Sequence, residues 1–310
     1  MKLRRVLSLI LVAALCLCMT ACSGFSIKEC TPILYRVTDA AGHTAWLFGS
    51  IHVGQEEFYP LPTYVLDAFD GADSLAVELD ILSFEKNTAA QMQSMQALMY
   101  TDGTTIRDHL PEEVYQAAVE VLESMDSYYT LMDYYKPMMW SSMIDSLLYE
   151  QLGVKVDLGI DRHLIQRAYE AEKPIKEVES AQFQYEMMAN FSEDLQTLLL
   201  QNSIGTYEAQ QTTKLQLRML SHAWATGNEQ RLADMLTAET EVEDEKEKQL
   251  YEEYSRAMVD ERNVSMTDFA EEMLRSGEEV FITVGAAHII GDGAMVQLLK
   301  QRGYTVERVQ

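Results

Sequence analysis

Val280-Phe281-Ile282-Thr283-Val284-Gly285-Ala286-Ala287-His288, close to the end of the chain, repeats a pattern set near its start by Thr44-Ala45-Trp46-Leu47-Phe48-Gly49-Ser50-Ile51-His52. Each stretch is an apolar run that reads as a buried strand, then a glycine, then a histidine three residues later. Glycine at the end of an apolar strand lets the backbone turn sharply and leaves room for a ligand near the main chain. The histidine that follows falls in a loop at the strand's carboxyl end, the edge at which open α/β sheets bind ligands. Two such turns, far apart in sequence, point to two histidines brought together over one site.

A third segment adds a carboxylate. Ser74-Leu75-Ala76-Val77-Glu78-Leu79 alternates Leu75, Val77 and Leu79 on one face with Ala76 and Glu78 on the other, as a strand does. Glu78 then lies near the carboxyl end, where burial without a partner is costly. His52, His288 and Glu78 form a ligand set suited to a catalytic divalent metal with one position open to water. The same residues also suit a general base with its orienting partners.

Outward from these strands, residues 33–38 read as a strand joined by a hairpin turn at 40–43 to the strand before Gly49, with His43 exposed at the turn tip. Pro60 and Pro62 precede a short helix over 64–69. From about 85 the chain is mostly helical. Pro111 and Pro137 each open a helix, and the stripe Met138, Met139, Trp140, Met143, Leu147, Leu148 reads as core. Residues 173–179 read as a short strand ending on Glu179, and residues 192–276 as a long helical stretch interrupted around Gly205 and Gly227. The closing strand, turn, helix and strand over 280–309 support a mostly parallel sheet with right-handed crossovers. The expected class is α/β: a mostly parallel or mixed central sheet flanked by helices, with a large helical insertion that lends α+β character. Residues 33–310 form one domain, with its helical middle at about 85–276.

The first residues read as a processing signal. Lys2, Arg4 and Arg5 precede an apolar run over 6–18, too short to span a bilayer easily, and Met19-Thr20-Ala21-Cys22 follows in the manner of a bacterial lipobox. Residues 1–21 are therefore expected to leave as a lipoprotein signal peptide. Cys22 is expected to carry the lipid, palmitate included, and residues 22–32 to tether an extracytoplasmic, membrane-anchored lipoprotein of a bacterial envelope. Only Cys30 then remains in the mature chain besides the lipidated residue, which excludes an intramolecular disulfide. The chain has 49 acidic against 24 basic side chains, a net charge of −25 that becomes −28 without Lys2, Arg4 and Arg5. Such a surface repels phosphate backbones, so nucleic acid is not expected as a partner.

Taken in order, these motifs resemble the TraB/GumN family, which is related to the Tiki metalloproteases. The resemblance rests on Gly49-Ser50-Ile51-His52-Val53-Gly54, Val77-Glu78-Leu79-Asp80 and Gly159-Ile160-Asp161-Arg162-His163-Leu164. It continues through Lys173-Pro174-Ile175 to Gln184, Glu261-Arg262-Asn263 with Met266, Gly285-Ala286-Ala287-His288 with Ile290-Gly291, and Gly303-Tyr304-Thr305-Val306. Ala287 departs from the glycine that many members carry. The resemblance implies a metal-dependent hydrolase, most simply a peptidase, using manganese or cobalt and taking a peptide or small-molecule substrate. His52, Glu78 and His288 would hold or surround the ion, and Glu179 or Asp161 would serve as general base or further ligand.

In the same reading Arg262 would stabilise negative charge developing on the substrate oxygen, and Asn263 would orient a neighbour by hydrogen bonding. Arg262 could equally form a buried ion pair with one of these carboxylates, and Asp161 could simply begin its helix. Two alternatives stay open. One is a metal-independent esterase or amidase in which His52 or His288 is the base and Glu78 fixes its tautomer. The other is a lipoprotein that binds haem or metal without turnover.

Overall fold

A computed structural model of the chain describes residue 27, residues 29–236 and residues 244–309. The expected leader 1–21, lipidation at Cys22 and part of the tether lie outside the described residues. Among them, no helix is long and apolar enough to cross a membrane.

Six strands form one sheet in the order β4-β3-β5-β2-β1-β6. They are β1 (Leu34–Thr38), β2 (Thr44–Ser50), β3 (Ser74–Val77), β4 (Ile175–Glu177), β5 (Val280–Gly285) and β6 (Thr305–Arg308). β2, β5, β3 and β4 pair in parallel, whereas β1 runs antiparallel to both β2 and β6. The sheet is thus mixed, with β1 the single reversed strand, and it is flanked by helices as an α/β fold requires.

β3 corrects the alternation expected of it: all four of its residues are buried. The strand lies inside the sheet with both faces covered, so its two faces cannot be told apart by polarity. It also ends at Val77, which leaves Glu78 just past the strand, and β4 ends at Glu177, two residues short of Glu179.

The main core packs Leu47, Phe48, Leu75, Phe281 and Ile282 against Phe69, Trp224 and Leu274 from the surrounding helices. A second apolar cluster, built on Tyr115, Leu122, Trp140 and Ile144, lies within the helical middle of the chain. Pro137 is the first residue of helix Pro137–Gln151 and Glu112 of helix Glu112–Ser124, as the proline signals predict. Gly205 does not interrupt the chain: helix Glu193–Glu208 runs through it. A helical glycine costs only about 1 kcal/mol relative to alanine, which packing readily offsets. The break falls instead at Ala209, before helix Gln210–Ala225, and the second at Gly227, where φ is +59°.

His43 is not an isolated turn-tip residue. It is half-buried, its Nδ1 lies 2.9 Å from Asp39 Oδ2, and its ring closes over Gly277.

Candidate functional site

Parallel register is what assembles the site. Gly49 pairs with Val284 and Ser50 with Gly285, while Val77 pairs with Thr283 on one side and Glu177 on the other. His52, Glu78, Glu179 and His288 therefore all emerge just beyond the same carboxyl edge. Trp224 braces that edge by donating from its indole to the Gly49 carbonyl at 2.7 Å. His288 lies in a one-turn helix, Ala286–Ile289, rather than in the expected loop, and is 5 % exposed.

The loop after β2 is locked to the segment that carries Asp161. The Gly54 amide donates to the Lys155 carbonyl at 3.1 Å, and the Ile160 amide to the Ile51 carbonyl at 3.1 Å. A Cβ on Gly54 would stand 1.6 Å from the Leu158 carbonyl oxygen, and one on Gly159 2.6 Å from that of His52. Only glycine permits so close an approach of two backbones. The docking places Asp161, the second residue of helix Ile160–Glu170, with Oδ2 2.9 Å from His52 Nδ1.

Asp161 also accepts a short hydrogen bond from the Ser50 hydroxyl. Because that hydroxyl is committed to the carboxylate and not to an imidazole, Ser50 positions Asp161 and is not set up as a nucleophile. Asp161 thus holds the His52 ring as well as standing at the start of its helix.

His288 has a different partner. Asn263 donates from Nδ2 to the Gly293 carbonyl at 3.0 Å, so its Oδ1 is the atom that faces His288 Nδ1 at 2.7 Å. That acceptor fixes the proton of the neutral ring on Nδ1 and leaves a lone pair on Nε2. The tautomer-fixing role expected of Glu78 thus belongs to Asp161 and Asn263.

Glu78 is held elsewhere. Its Oε1 accepts from the Gly285 amide at 2.6 Å and its Oε2 from Arg262 Nη2 at 2.6 Å. Arg262 also donates to both oxygens of Glu179, at 2.7 and 2.8 Å, and from Nη1 to the Met258 carbonyl at 3.0 Å. Four of its five N–H groups are therefore engaged. Gln184 adds a bond to Glu179 at 2.9 Å. Met258 belongs to a π-helical turn, Arg256–Asp260, immediately ahead of helix Glu261–Ser276. Such turns accompany functional sites, and no motif in the sequence announced this one.

The electrostatics of the two histidines diverge. His52 is pushed up to about 9, chiefly by the Asp161 carboxylate, although burial opposes it. Its side chain is 73 % exposed. His288 is pushed down to about 4 by burial, against the pull of Glu78. For Glu78 and Asp161, burial favours the neutral acid but loses to Arg262 and the histidines in the first case and to His52 in the second; both stay below the usual carboxylate range.

As metal donors these residues fit in kind. Metal-binding histidines have one ring nitrogen fixed by an acceptor and the other free, and both His52 and His288 meet that description. As the side chains stand, no three His, Cys, Asp or Glu residues among the described residues are gathered closely enough to hold an ion. Arg262 and the Gly285 amide engage the oxygens of Glu78, the third candidate ligand.

The profile of the TraB/PrgY/gumN family matches residues 33–308. The chain is also 26 % identical over 254 residues to "Uncharacterized protein YbaP" of Escherichia coli (strain K12), covering 82 % of this chain and 87 % of that one. The protein of the same description from Shigella flexneri gives the same figures. No solved structure matches the chain significantly. The chain belongs to the TraB/PrgY/gumN family.

Proposed function

We propose that this member of the TraB/PrgY/gumN family is a hydrolase, most simply a peptidase, with His52 and His288 as its working groups and a divalent ion held by them. One observation carries the reading: each Nδ1 is fixed by its own acceptor, while neither Nε2 has a hydrogen-bond partner among the described residues at that sheet edge. Glu78 would stand third in the donor set, sharing its oxygens with Arg262 and the Gly285 amide. A manganese or cobalt ion bound there would supply Lewis-acid polarisation of a carbonyl and lower the pKa of a water. Asp161 and Asn263 keep the imidazoles oriented, Glu179 holds Arg262 in place, and the remaining N–H of Arg262 is available to a substrate oxygen. The basic start, short apolar run and Met19-Thr20-Ala21-Cys22 support an extracytoplasmic location through a lipid on Cys22.

The opposed proton affinities of the histidines support a second reading without metal. His288, neutral, would take the proton of an attacking water, and His52, protonated, would give one to the leaving group. One experiment separates the two: hydrolysis of a peptide and ester panel by chelator-stripped protein, with and without Mn²⁺ or Co²⁺. Activity restored only by metal supports the first reading, and chelator-resistant activity selects the second. No hydrolysis under either condition sinks both.

A further inference from the structure

The loop that leaves His52 does more than dock. Val53 and the residues after it share a groove of about 530 Å³ with residues 152–155, just past helix Pro137–Gln151, and with helix Gln210–Ala225. The latter contributes Lys214, Leu217, Arg218 and Ser221, a spacing of three, four and seven that puts them on one helical face. Lys155, on the other side, is neutralised by Glu56 at 2.7 Å. Lys214 and Arg218 are exposed and have no carboxylate partner among the described residues. They stand one turn apart, where like charges repel each other along a helix, and an anion between them would relieve that repulsion. The chain carries about two acids for every base, so most of its surface turns anions away. This groove is locally different: Lys155, Lys214 and Arg218 line it against Glu56 and Glu57, an excess of one positive charge. It is joined to the candidate site through the chain, since Val53 follows His52 and the Gly54–Lys155 backbone pair holds the loop in place.

Resting on the hydrolase reading above, we propose that this groove is an acid-recognising subsite, in which Lys214 and Arg218 bind carboxylate side chains of an acidic peptide running along Val53 to His52. The subsite selects the substrate and takes no part in bond cleavage.

The test is binding, measured apart from turnover. Fluorescence anisotropy would compare a rhodamine-labelled octapeptide rich in glutamate with its glutamine counterpart, on the wild-type protein and on Lys214→Glu/Arg218→Glu, in low salt. The glutamate peptide is expected to bind roughly five- to tenfold tighter, from two exposed charge contacts, and to lose that margin in the variant and at high salt. Lys214→Gln/Arg218→Gln should show the same loss without the added acids, and circular dichroism would check both folds. Equal binding of the two peptides by the wild type overturns the proposal. So does a preference that survives charge reversal, or charge-dependent capture of phosphatidylglycerol vesicles in place of the peptide. If the acidic peptide binds as expected but no peptide is ever cleaved, the subsite stands and the hydrolase reading fails.

Discussion

Arg262 meets Glu179 in a two-point ion pair, with Nε 2.7 Å from Oε1 and Nη2 2.8 Å from Oε2, and the two side chains are only 6 % and 4 % exposed. The same Nη2 reaches Glu78, so one guanidinium is shared by two carboxylates.

Removing that cation should therefore be felt first as lost stability. Arg262→Met leaves two largely buried carboxylates uncompensated, which costs about 3–5 kcal/mol. Arg262→Lys keeps the charge but not the two-point geometry, and should fall between the two. Thermal unfolding checks both. A wild-type melting temperature in Arg262→Met would mean that the carboxylates find other partners.

The two histidines should tilt stability in opposite directions with pH. The folded protein holds His288 near pKa 4 against an ordinary 6.5, so the unfolded chain takes up a proton that the native state refuses. Stability from this source is present above 6.5 and lost as pH falls through that window towards 4. His52, raised to about 9, contributes most below 6.5 and loses its contribution as pH rises through 9. Its exposure to solvent screens the effect and makes the alkaline slope the shallower one. Urea unfolding of chelated protein across pH 4–10 should show a flatter acid limb in His288→Gln and a flatter alkaline limb in His52→Gln. Wild-type slopes in both variants would contradict the assignment.

Gly54→Ala should disrupt the loop junction. Its Cβ would meet the Leu158 carbonyl oxygen at 1.6 Å, and backbone cannot yield as a side chain can. The expected cost is at or above the 1–3 kcal/mol typical of overpacking, roughly, with activity lost as Asp161 moves from His52. Gly71→Ala, with open space around it, should change neither quantity.

His52→Ala and His288→Ala should each lower kcat/KM by about 100-fold or more while keeping a native circular dichroism spectrum. His43→Ala should keep full activity, with at most a small loss of stability from its bond to Asp39. Full hydrolysis in both site variants would reduce the two glycine–histidine turns to structural devices.

Mass spectrometry of the membrane fraction should find a mature chain beginning at a lipid-modified Cys22. Cys22→Ala should release the protein from the membrane or block its processing. An intact Met1 in wild-type cells would refute the anchor.

The edge on which the site stands was legible because two apolar strands end in glycine and are followed at the same distance by histidine. What each histidine touches was less so. The bond from His52 to Asp161 spans 109 positions and depends on two backbones meeting at Gly54 and Gly159, an approach that no local pattern encodes. Asn263 was expected to orient a neighbour, and the structure identifies that neighbour as His288. Arg262 fills the ion-pair role weighed for it, but with Glu78 as well as Glu179. The sequence misleads where local cues are weakest. Alternation in β3 carried no facing information, because both faces are covered, and Gly205 looked like a helix breaker although packing overrides its propensity.

β5 lies between β3 and β2, although it is the fifth strand to be synthesised. Until residues 280–285 exist, β2 and β3 have no common neighbour, and the β1–β2 and β3–β4 pairs remain unjoined halves. Nearly nine-tenths of the polypeptide must therefore wait for its final tenth before the sheet can close. Folding dominated by such distant pairings is slow. A chain cut short anywhere ahead of β5 would lack both His288 and the strand that joins the halves, so the architecture makes the last strands a condition of a closed sheet.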